Sequence, residues 1–211
     1  QYRETYFNFA YTGDEQPLAE RRFTSFSGVT DGGTASVTDN VPSTVDERRQ
    51  PTFRNTDLLG QAMTVTYTVD VRPAYYQIMS GDTLNDIQGT LNISDASEIF
   101  TRGVSMNGPA TGDWVAWGAT LDGTAANKMH DDGTNGDAVA GDSIFTVQFA
   151  YEATATIGQE FKFGIDGGDN ESGYGLNHIE NIDVTAPTVA SYWGSINPFK
   201  YDAWDYDNNT P

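Results

Sequence analysis

Apolar and polar residues alternate in several short stretches along the chain. Met63 to Val71 is the clearest, with Met63, Val65, Tyr67, Val69 and Val71 on one face and the threonines and Asp70 on the other. A period of two places successive side chains on opposite faces of a strand. Ser143 to Tyr151 alternates through Phe145, Val147, Phe149 and Tyr151, and Glu160 to Asp166 through Phe161, Phe163 and Ile165. The same reasoning predicts strands over 99–104, over 114–121 (Val115, Trp117, Ala119, Leu121 on one face) and around Ile179, Ile182 and Val184. Arg72-Pro73 ends the first of these, and 75–79 is predicted to form one helical turn. No helical period runs over ten residues, and Gly-rich turns separate the strands. The predicted class is all-β, an antiparallel β-sandwich.

The ends of the chain differ from this body. Near the N-terminus, Thr5, Phe7, Phe9 and Tyr11 share one face of an alternating stretch, followed by a Ser/Thr/Gly/Asp-rich run over 27–57. Residues 1–60 therefore read as a strand with a long polar arm, 61–187 as the sandwich body and 188–211 as a tail. The tail carries Tyr192, Trp193, Phe199, Tyr201 and Trp204 within thirteen residues. Aromatics in that density mark a contact, on the chain's own body or on another subunit. Tyr192, Trp193, Tyr201 and Trp204 are expected to join Thr5, Phe7, Phe9 and Tyr11 in subunit contacts. An alternating strand on an arm adds readily to the open sheet edge of a second copy, and head-to-tail contacts of that kind build filaments.

Composition narrows the partners. The 211 residues hold 30 acids and 11 bases, a net charge of −19, with no cysteine and two histidines. Nucleic acid and anionic membranes are repelled by such a chain. No run reaches the roughly 18 apolar residues of a membrane span, so membrane insertion is not expected. Disulfides, thiolate nucleophiles and zinc–thiolate sites are excluded. Residues 1–60 hold six bases and nine acids, a net −3, and the remainder five bases and twenty-one acids, a net −16. The less negative segment suits a partner surface on an acidic neighbour. A chain that starts at Gln1 and lacks cysteine is expected to be a mature exported protein, located outside the cell or on its surface.

The stretch from His130 to Asp142 sets Asp131, Asp132, Asn135, Asp137 and Asp142 among glycines. Calcium takes six to eight oxygens from carboxylates, carbonyls and water, and glycine lets a loop turn its carbonyls inward. The spacing is not that of an EF-hand. Two readings stand side by side: a calcium site, and a solvated turn whose Asp and Asn side chains cap their own backbone. Asp166 to Glu171 is a shorter relative of this loop, read as a turn.

The order of motifs carries a resemblance. Val65 to Val71 opens the body, followed by Phe100-Thr101-Arg102-Gly103. Met129 to Asp142 then runs into Ser143-Ile144-Phe145-Thr146. Glu160-Phe161-Lys162-Phe163 and Gly173 to Asn177 close the series. This resembles the immunoglobulin-like, starch-binding-type modules of secreted bacterial proteins over about 62–185. The resemblance implies a seven- or eight-stranded immunoglobulin-like β-sandwich, and either glycan binding or a structural role in a secreted assembly. Where those modules have Asn-Gly-Trp, this chain has Asn107-Gly108-Pro109, with Trp114 downstream.

Trp114 has the opposite parity to the core face of its stretch and is the candidate sugar platform, with Tyr174. N-glycosylation sequons begin at Asn92, Asn170 and Asn208. No nucleophile elbow, phosphate loop or metalloprotease helix is present in the sequence, and a non-enzymatic role is expected. The function expected is a secreted structural subunit that assembles with copies of itself. The alternative is a carbohydrate-binding module.

Overall fold

The computed structural model describes residues 54–173 and 176–211, together with an antiparallel pairing of β1 (Arg3–Glu4) and β2 (Arg21–Arg22). The expected strand through Thr5, Phe7, Phe9 and Tyr11, most of the polar arm, and Tyr174 lie outside the described residues. The fold is mainly β. Its centre is β3 (Met63–Asp70), flanked by β7 (Ile144–Tyr151) and β10 (Thr188–Tyr192). A second sheet has the order β6 (Val104–Asn107), β8 (Gly158–Ile165), β9 (His178–Asn181). β4 (Leu84–Asn85) and β5 (Asn92–Ile93) pair as a short antiparallel hairpin. No helix among the described residues is long and apolar enough to cross a membrane.

The alternation of β3 sets its register. Val65, Tyr67 and Val69 are fully buried and lie opposite Phe149, Val147 and Phe145 of β7. The two three-stranded sheets meet where Tyr67 packs edge-on against Phe161, with ring centroids 5.2 Å apart. Tyr67 also shares a hydroxyl hydrogen bond of 2.8 Å with Tyr151. β8 is buried along its whole length, so both its faces are covered.

Two expected strands are corrected. Residues 98–102 form a helix, α2 (Glu98–Arg102), instead of the start of a strand. Asp95 accepts the Ser97 amide at 2.9 Å, Glu98 and Arg102 pair one turn apart, and Gly103 ends the helix at a φ of 78°. These local terms outweigh a weak alternation. The stretch from Trp114 onward is a loop followed by α3 (Ala119–Asp122). A side chain supplies ladder-like contacts at its start. The Asn107 amide donates to the Val115 carbonyl and its oxygen accepts the Val115 N–H, both at 2.9 Å. Gly118 then turns the chain at a φ of 89°. The helical turn expected at 75–79 begins earlier, as α1 (Arg72–Met79), with Pro73 in its first turn.

The segment 188–211 is part of the body. β10 pairs with β3 in parallel register, Thr188 opposite Thr66 and Tyr192 opposite Asp70, where only antiparallel pairing was expected. Trp193, Tyr201, Trp204 and Tyr206 are buried in the chain's own core. Trp193 Nε1 donates to the Tyr201 hydroxyl at 2.7 Å, and the Tyr206 hydroxyl donates to the Trp193 carbonyl at 2.6 Å. Gly194 has a φ of 73°, and a Cβ there would run into the Tyr201 ring. The subunit-contact assignment of Trp193, Tyr201 and Trp204 is therefore corrected: their faces are consumed by intramolecular packing. Tyr192 is half-buried.

Candidate metal centre

The acidic loop hangs between two fixed points. His130 and Thr146 exchange both main-chain hydrogen bonds at 2.8 Å, which anchors the loop to β7. Asp131 then closes it. Its Oδ1 accepts the amides of Gly141 and Asp142 at 2.8 and 3.1 Å, and its Oδ2 accepts Ser143 N–H at 3.2 Å. Asp137 Oδ2 accepts the Gly133 amide at 2.7 Å, and Asp142 Oδ1 accepts the Ile144 amide at 2.9 Å. The result brings one carboxylate oxygen from each of Asp131, Asp137 and Asp142 within 4.8 Å of one another. Burial and the charge of Asp142 raise the Asp131 carboxyl above its ordinary range, against the pull of its three amide donors.

Asp132 and Asn135 are not in this group. Asp132 is exposed and accepts from the Thr134 amide at 3.0 Å and from its hydroxyl at 2.6 Å. Asn135 adopts a φ of 52° and turns its amide toward the His130 ring, 3.3 Å from Nε2. Both cap the loop instead of facing its centre. Three of the five expected oxygen donors therefore converge. A carboxylate offers about four lone-pair sites. Asp137 and Asp142 each accept one main-chain amide, so their remaining oxygens fit a hard divalent cation. Carbonyls and water would supply the rest of its six to eight ligands.

The shorter loop is a buried charge network, not an exposed turn. Glu171 is fully buried. Its Oε1 meets His178 Nε2 at 2.7 Å and the Gly194 amide at 3.0 Å, and its Oε2 accepts the Phe163 amide at 3.0 Å. Burial opposes the charge of Glu171, but His178 and these amides hold its carboxyl below the usual range. Asn170 clamps Ile165 from both sides, accepting its N–H at 3.0 Å and donating to its carbonyl at 2.9 Å. Asn170 is 1% exposed, so glycosylation there is corrected: the amide has no room for a sugar. Asn92 and Asn208 are exposed. The alternation of β8 revealed Phe161, Phe163 and Ile165, but no sequence signal marked the network on Lys162, Asp169, Glu171 and His178.

Trp114 is 39% exposed, and its ring lies 6.2 Å from that of Trp117 at 45°. Trp117, expected in the core, is half-buried beneath it and sits 5.9 Å from Lys162 Nζ. Comparison of the chain with known protein families, curated proteins and solved structures finds no match.

Proposed function

We propose that this chain is a non-enzymatic structural subunit of an extracellular or cell-surface assembly. It is built as an immunoglobulin-like β-sandwich and joins copies of itself by β-strand addition. The observation that carries this reading is the open edge of β7. Val71 N–H bonds the Ser143 carbonyl, so the odd-numbered residues of β7 face β3. Thr146, Gln148 and Ala150 point their main-chain groups the other way. Thr146 is used by His130, and among the described residues nothing pairs with the backbone of Gln148 or Ala150. A groove of about 440 Å³ lies beside this edge, lined by Ala150, Tyr151, Pro109, Thr111 and Arg54 among others. An alternating strand such as Thr5 to Tyr11 of a second copy has the pattern to fill it. The net −3 of the first sixty residues suits docking on a body of net −16. In this proposal Asp131, Asp137 and Asp142 hold Ca²⁺, which neutralises the loop and fixes it against β7.

The test is the size of the purified chain by light scattering and electron microscopy, beside a chain lacking residues 1–20 and an Ala150→Pro variant. Proline at an open edge removes one donor without breaking an existing ladder bond. Polymers in the parent and monomers in both variants support strand addition. A monomeric parent, or variants that still polymerise, overturns it. A second reading, glycan binding, is favoured by the exposed Trp114 ring tilted against Trp117. Binding to α- or β-glucans that is lost in Trp114→Ala supports it, and no binding by the parent removes it.

A further inference from the structure

Lys162 is the least expected residue of β8. It faces away from the Tyr67–Phe161 core, yet its side chain is 2% exposed and that of its partner Asp169 10%. The cover is specific. After Ile165 the chain reverses at Gly167, which has a φ of 66°. The two Asn170 bonds to Ile165 and the Glu171 bond to the Phe163 amide then pin the returning segment along β8. This brings the Asp169 carboxylate against Lys162 Nζ. The amine also donates to the Gly173 carbonyl at 2.8 Å and lies beside the Trp117 ring. Asp169 Oδ1 is fully buried and meets the amine without a well-formed hydrogen bond.

An ion pair without solvent is costly, and burial favours the neutral form of a carboxyl. Burial and the nearby charge of Glu171 raise the Asp169 carboxyl, with Lys162 and Lys200 opposing. Transfer of one proton from the Lys162 ammonium to Asp169 yields an uncharged amine beside a carboxylic acid. Those are the two forms that condense, and they are held in place at high effective concentration.

We propose that Lys162 and Asp169 are joined by an intramolecular isopeptide bond, formed by the folded chain itself. The Lys162 nitrogen attacks Cγ of Asp169, and the new C–N bond forms. The bond from Cγ to the hydroxyl oxygen breaks, and the hydroxyl leaves with one amine hydrogen as water. No oxidant, cofactor or second protein is consumed. The bond locks the returning segment to β8 in a chain that has no disulfides.

The experiment is the mass of the full chain and its tryptic map after denaturation. The expected chain is one water lighter than its sequence. Trypsin then leaves residues 129–200 as one peptide, uncut at Lys162, and fragmentation places the loss between 162 and 169. Lys162→Ala and Asp169→Ala restore the full mass. Asp169→Asn, closest in shape to the parent, keeps the link by loss of ammonia. Cyclisation of Gln1 expels ammonia and falls in another peptide, so it does not imitate this result. A soluble, folded parent whose peptides carry the full mass and are cleaved after Lys162 overturns the proposal. The parent's map decides even where an alanine variant fails to fold.

Discussion

Replacing Tyr201 by Phe removes a single oxygen from the packing that ties the C-terminal segment to the body. The Tyr201 hydroxyl accepts Trp193 Nε1–H at 2.7 Å and donates to the Glu171 carbonyl. Both neighbours are buried, so neither finds water once the oxygen is gone. Leaving a buried donor unsatisfied costs about 1–3 kcal/mol, while the aromatic ring and its contacts stay in place. The expected loss is about 2 kcal/mol, which lowers Tm by about 4–8 °C for a chain of this length. Burial holds the Tyr201 phenol well above its ordinary value, so the loss is the same from pH 6 to 8. Urea unfolding followed by tryptophan fluorescence measures it. Trp193→Phe removes the donor at the other end of the bond, so the double variant is expected to be less destabilised than the two singles summed, by about 1 kcal/mol. Losses below about 0.5 kcal/mol that simply add would refute the docking of this segment as a cooperative part of the core.

Three further outcomes are expected. Calcium raises Tm, chelator reverses the rise, and Asp131→Asn abolishes both; a hundredfold excess over Kd corresponds to about 2.7 kcal/mol, and a parent indifferent to chelator refutes the site. Burial pushes the Glu180 carboxyl from 4.5 up to about 7. Between those values the native chain keeps a proton that the unfolded chain releases, so stability falls as pH rises through the window. Glu180→Gln flattens that slope and gains about 3 kcal/mol at pH 8 but little at pH 4, as paired denaturation curves at the two pH values would show. Asn107→Ala removes both bonds to Val115 and costs about 2 kcal/mol, with a change in the near-ultraviolet dichroism of Trp114 and Trp117; an unchanged spectrum counts against the clamp.

The long strands were legible because their signal is local. In β3, β7 and β8 the alternation of apolar residues records one face turned to the core, and no distant partner is needed to read it. The acidic loop was half legible. Its donors are visible as residue types, but whether a carboxylate faces the centre or caps a neighbour depends on φ values and amide positions. Asp132 differs from Asp137 in that respect alone, and the Asn135 amide turns to the His130 ring. The strands expected at 99–104 and 114–121 failed for another reason: alternation over a few residues is weak, and capping at Asp95 and the Asn107 clamp decided the backbone there.

By itself the sequence determined a mainly-β, cysteine-free, strongly acidic chain whose aromatic C-terminal segment must be covered by something. Only the tertiary structure decided what covers it. The parallel pairing of β10 with β3 carries Trp193, Tyr201 and Trp204 into the chain's own core. The segment returning along β8 buries Lys162 against Asp169. Composition sets which groups must be paired or hidden, since water leaves apolar faces and unpaired charges at a cost. Which partner each group finds depends on contacts between residues far apart in the chain, and no local pattern encodes them.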